Sequence, residues 1–170
     1  MAWEENSCIS LNMQLIAILS RIGVTPDRSK RTINHIHPNN QNPKIMTNVD
    51  LMKEFLSSQG FKYEQDEDND IFFKYQMRNF IFMGSDNDET FLRLVMPGVF
   101  DVTEDNRAGV LEATNAVSVS MKVVKATIVN DNVWLSAELL IDSTPVFDDI
   151  IPRVLDILLA AQQEFYKQIN

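Results

Sequence analysis

The feature that most restricts what this chain can fold into is a change in the period of its hydrophobic pattern at Thr103. Between Phe61 and Met96 the apolar residues come in short aromatic and β-branched runs, "FKYEQ", "DIFFKYQ", "RNFIFMG" and "TFLRLVM". Runs of this length and composition, bounded by polar residues, read as strands. The acidic stretch within "EQDEDNDIF", the tight connection Gln76 to Asn79 and the polar "SDNDE" read as the turns between them, with Pro97-Gly98 ending the fourth strand. From Thr103 the spacing becomes helical. Val110, Leu111, Thr114, Val117 and Met121 share one face, with Thr103 as N-cap and Glu104 and Asp105 in the first turn, where they favour the helix dipole.

The pattern then returns to strands. "VVKATIV" and "VWLSAELLI" flank Asn130-Asp131-Asn132, residue types that tolerate the left-handed backbone of a hairpin loop. A last helix starts near Asp148 or Asp149, takes Pro152 in its first turn, and lines up Ile151, Val154, Leu155, Leu158, Leu159, Gln162 and Phe165. Upstream, "MTNVDLMKEFLSSQG" has a capping-box start in Thr47 and Asp50, apolar residues near helical spacing, and Gly60 placed to close the helix. The order is therefore α-β-β-β(-β)-α-β-β-α. It predicts an α+β fold in which a mostly antiparallel sheet carries packed helices.

The chain divides by composition. Residues before Met46 hold three acids and five bases, and those from Met46 onward hold 21 acids and ten bases. Both histidines, His35 and His37, and the single cysteine, Cys8, fall in the first piece. "HIHPNNQNPK" has no apolar periodicity and reads as linker. Residues 1–45 are accordingly expected to be an extension and linker outside the native domain, with 46–170 the domain and Met46 a candidate translation start. Within the extension, Ile9 to Val24 has the make-up of a short amphipathic or buried helix. The start "MAWEENSC" carries glutamates where a signal peptide needs positive charge, and the apolar run Leu11 to Leu19 falls far short of a span. One cysteine makes no internal disulfide. A cytoplasmic protein is the expectation.

Three stretches carry a resemblance: "GFKYEQDEDNDIFFKY", "VFDVTEDNRAGVLEATNAVS" and "VFDDIIPRVLDILLAAQQEFY". With the element order, they resemble the YbjN family of proposed bacterial sensory transduction regulators and, more distantly, the fold of class I type III secretion chaperones. The resemblance runs from about Met46 to Ile169. It implies a binding or regulatory role, by analogy with small acidic proteins, often dimeric, that hold segments of a partner. It supplies no catalytic residue.

The residues themselves point the same way. Asp66, Asp68 and Asp70 match the first, third and fifth ligand positions of a calcium loop. Ile71, however, stands where the turn needs Gly, and Met77 where a bidentate Glu is needed. His35 and His37 in "HIH" have no third ligand of suitable geometry nearby. From Met46 onward there is neither His nor Cys, which removes imidazole bases, Ser-His and Cys-His nucleophiles and thiolate zinc sites together. The remaining carboxylate groups are Asp86 with Asp88 and Glu89, Glu104 with Asp105, and Asp148 with Asp149. Each sits in a turn or at a helix start, where Asp and Glu have a local structural reason to be. The glycines of the domain are isolated, so no phosphate loop exists. No metal or cofactor is expected. A net charge of −9 opposes nucleic acid and anionic membrane as partners.

A one-sided sheet alternates apolar and polar residues, yet "FIFM", "FLRLVM" and "AELLI" put large apolar groups on both faces. Helices cover one face. The other must meet the extension, a second copy or a client, unless short strands simply mix burial. The expectation is a non-enzymatic protein-binding or regulatory domain, chaperone-like in manner, whose partner is another protein or itself as a homodimer. The alternative is a small-ligand or metal-dependent enzyme using the surface carboxylates. No protein-binding residue can be assigned from sequence.

Overall fold

A computed structural model describes residues 46–84 and 88–169. The expectations for Cys8, the Ile9 to Val24 helix, His35, His37, the linker and Asp86 lie outside the described residues. The elements follow the predicted order: α1 (Asn48–Ser58), β1 (Tyr63–Gln65), β2 (Ile71–Tyr75), β3 (Arg78–Met83), β4 (Phe91–Asp101), α2 (Arg107–Ser120), β5 (Val124–Val129), β6 (Asn132–Leu140) and α3 (Phe147–Ile169). The strands form one antiparallel sheet in the order β1-β2-β3-β4-β6-β5. The fold is α+β.

Local chemistry accounts for most boundaries. The Thr47 hydroxyl accepts from the Asp50 amide at 3.1 Å while the Asp50 carboxylate accepts from the Thr47 amide at 3.4 Å, completing the capping box of α1. At the other end Gly60 adopts φ +73°. Its amide donates to Ser57 O and that of Phe61 to Leu56 O, the paired bonds of a Schellman stop. Both two-residue hairpins turn through left-handed pairs, Gln76-Met77 and Asn130-Asp131, whose twist matches that of the flanking strands.

Three boundaries differ from the sequence reading. β4 does not end at Pro97-Gly98 but runs to Asp101 through a bulge between Met96 and Phe100, with Gly98 at φ +65°. A bulge is where a strand tolerates Pro, which has no amide to offer the ladder. The Tyr166 hydroxyl donates to Val99 O there at 2.7 Å. α2 starts at Arg107 with Asn106 as its N-cap, not at Thr103. Thr103 and Asn106 instead bond reciprocally, Thr103 N to Asn106 Oδ1 at 2.8 Å and Asn106 N to Thr103 Oγ1 at 3.4 Å. That closes a separate turn ahead of the helix, and Glu104 and Asp105 lie in this turn. Because α3 begins at Phe147, Pro152 falls in its second turn. Pro152 and Asp148, whose carbonyl loses its helical partner, are both exposed, so water can serve that carbonyl.

One core holds the helices to one face of the sheet. Met52, Phe55 and Leu56 from α1, Val110, Ala113 and Val117 from α2, and Ile151, Val154, Leu155, Leu158 and Phe165 from α3 form a single buried cluster. They do so with alternate strand residues such as Phe73, Phe80, Phe82, Leu94 and Leu135. Phe82 meets Phe147, and Phe100 meets Phe165, with ring centroids 6.1 and 5.6 Å apart. Leu111, placed by periodicity on the inner face, is 51% exposed, and Ala113 takes its place in the core. Among the described residues no helix is long and apolar enough to cross a membrane.

Candidate protein-binding surface

The acidic run is a turn with backbone duties. Asp66 Oδ1 accepts the amides of Asp68 and Asp70 at 3.1 and 2.9 Å, and Asn69 takes φ +66°. Asp70 Oδ1 accepts the Gly84 amide at 2.9 Å, tying the loop to the end of β3. A Cβ at Gly84 would sit 2.7 Å from the Asn69 carbonyl oxygen, so only Gly permits this approach. Burial raises the Asp70 pKa above its ordinary 3.8, the Gly84 amide lowers it, and the charges of Asp66 and Asp68 raise it further. Sequence reasoning did not single out Asp70, because its burial and its bond to Gly84, 14 residues away, arise only in the tertiary fold.

The other carboxylates are dispersed rather than convergent. Asp88 Oδ1 accepts the Thr90 hydroxyl at 2.6 Å and its amide at 2.9 Å, and these bonds hold the Asp88 pKa below its ordinary value. Glu89 accepts the Asn48 amide through Oε2 at 2.9 Å, and its carbonyl accepts Asn48 Nδ2 at 2.7 Å, fastening the start of α1 to the β3–β4 connection. Glu104 with Asp105 is exposed in the turn before α2, and Asp148 with Asp149 is exposed in the first turn of α3. Among the described residues no group of three or more His, Cys, Asp or Glu is placed to hold a metal ion.

The second face of the sheet is different in kind. By strand register it carries Phe72 and Lys74 from β2, Ile81 and Met83 from β3, Arg93 and Val95 from β4, Trp134, Ser136 and Glu138 from β6, and Lys125 from β5. Among the described residues no helix contributes its buried side to this face, since the core cluster gathers all three helices on the other. Val95 is nevertheless only 1% exposed and Ser136 4%, and Val95 stands outside the core cluster. Glu138 pairs with Arg93 at 3.4 Å and with Lys125, so two cations share one carboxylate across β4, β6 and β5. Toward β1 the surface is more open. Phe72 is 39% exposed, and it lines a shallow depression with Ile81, Pro97, Lys62, Lys74 and Glu64.

The family model described as "YbjN: Putative bacterial sensory transduction regulator" matches residues 48–170. The chain belongs to the YbjN family. Its structure is similar to that of YbjN, "a putative transcription regulator" from E. coli, with a TM-score of 0.54 at 11% identity over 70% of this chain and 89% of that one. It is also similar to an uncharacterised protein from Methanothermobacter thermautotrophicus, with a TM-score of 0.50 at 15% identity over 69% and 94%. A third neighbour is the Yersinia pestis type III secretion chaperone SycH, solved in complex with a stable fragment of YscM2, with a TM-score of 0.49 at 15% identity over 69% and 98%. No curated protein matches the sequence. At these identities the structural likeness concerns the fold. In this YbjN domain the sheet's second face joins residues far apart in the sequence, from Lys62 to Glu138, which is why no local motif announces it.

Proposed function

We propose that this YbjN domain, taken as residues 46–170 with 1–45 as an extension, is a non-enzymatic protein-binding or regulatory module of the cytoplasm. Its contact surface is the second face of the sheet, and its partner is another protein or a second copy of the chain. The observation that carries this reading is the apolar content of that face, with Phe72, Ile81 and Trp134 at least partly exposed on it and the charged residues set around them. An apolar centre within a polar rim is the make-up of a protein interface. The family description as a regulator supports a role exercised through binding. The carboxylates support it too, since those with hydrogen bonds hold turns and helix ends rather than facing one another across a cleft.

A photo-crosslinking amino acid placed at Phe72 in the full chain, in cells, tests the proposal. The control position is Gln163, exposed on the outer side of α3. A discrete adduct at position 72 and none at 163 is expected, with its mass separating self-association from a second protein. Equal labelling at the two positions, or none at 72, overturns the assignment of the face.

A further inference from the structure

We infer that the β1–β3 end of this face is a docking surface for an acidic segment of a partner protein that also presents apolar or aromatic side chains. The inference rests on the protein-binding reading above and adds the chemistry of the partner. The floor is apolar: Phe72, Ile81 and Pro97. Its rim is cationic. The pairing of Tyr63 with Phe73 sets Lys62 opposite Lys74 when continued by one residue, and both line the depression and are exposed. Like charges facing one another across strands are unfavourable for the sheet itself, so this arrangement is one that a bound anion relieves.

The sign of the depression is the reverse of the domain's. Its lining holds two bases, Lys62 and Lys74, against one acid, Glu64; elsewhere on the face Arg93 and Lys125 are offset by Glu138 and by Asp101, which the register sets opposite Asn132. From Met46 onward, acids outnumber bases 21 to ten. Glu138 is already engaged by Arg93 and Lys125, and a single Glu64 stands beside the lysine pair. A second copy meeting the first through the same face would set lysines against lysines. The segment before Met46, with five bases and three acids, has the same sign as the depression. A polyphosphate chain would meet the lysines but has no apolar group to cover Phe72, Ile81 and Pro97. An acidic and apolar peptide segment matches both the floor and the rim.

The test is selection of phage-displayed random dodecapeptides on the immobilised full chain, followed by anisotropy titration of one selected peptide. Retained sequences are expected to carry excess Asp and Glu beside Phe, Leu or Trp. The double substitution Lys62→Glu, Lys74→Glu is expected to weaken the selected peptide by about tenfold or more, and added salt to weaken it for the parent. Both lysines are exposed, and circular dichroism verifies that the variant is folded. Retained peptides with no acidic excess, no retained peptides, binding unchanged by the substitutions, or displacement of the peptide by a single-stranded oligonucleotide each overturn the inference. Neutral or basic peptides retained in a Phe72-dependent way would do so while leaving the protein-binding reading intact. No retention together with no adduct at position 72 removes both.

Discussion

Asp70 accepts the Gly84 amide from inside a loop that also holds Asp66 and Asp68, whose charges disfavour its own. Its folded-state pKa is raised, chiefly by burial. The contribution to stability is therefore fully present below the ordinary value of 3.8 and is lost as pH rises through the folded value. Asp70→Asn keeps the acceptor oxygen and removes the charge. Thermal melts should show a higher Tm than the parent at about pH 7, with the gap closing at about pH 3, where Asp70 is neutral in both states. A lower Tm at neutral pH would show that the carboxylate itself holds the loop. The same contact makes Gly84→Ala costly: a Cβ 2.7 Å from a backbone oxygen has to displace the loop. A loss of about 1–3 kcal/mol in urea unfolding is expected.

Among the elements, α1 was the most legible, because every signal for it is local. Thr47, Asp50 and Gly60 each do at a helix end what their residue type predicts. Thr47→Ala removes the acceptor for the Asp50 amide, and denaturant midpoints should report a loss of about 1 kcal/mol. No change would mean that the Asn48 bonds to Glu89 hold the helix end without the cap. β4 was less legible. Pro97-Gly98 is a stop signal in isolation, yet pairing with β6 on both sides of the bulge carries the strand through it. The start of α2 was displaced for a related reason. Thr103 and Asn106 satisfy one another, and Asn106 Nδ2 reaches the carbonyl of Asp101, so the capping chemistry serves the exit from β4.

At the scale of the whole molecule, β4 and β6 are the long central strands and β1 is a three-residue strand at the edge. Amides that open only with the global fold should therefore concentrate in β4 and β6, while those of β1 exchange first among the strands. Hydrogen exchange followed by mass spectrometry checks this, and protection of β1 equal to that of β4 would contradict the strand order. The candidate surface belongs to this scale as well. It needs β4 to separate the β1–β2–β3 meander from the β5–β6 hairpin, an arrangement in which β6 rather than β5 takes the inner place.

Through hydrophobic period, turn chemistry and capping, the sequence by itself determined the element order, the α+β class, the hairpins and the lack of His and Cys from Met46 onward. Those properties act over a few residues and need no knowledge of neighbours. Only the tertiary structure decided which side of each strand faces the helices, that burial raises the Asp70 pKa, and that Lys62 and Lys74 line one depression with Phe72 and Ile81. Each of these depends on strand register and on contacts between distant segments, and the pattern of a single strand carries no record of either.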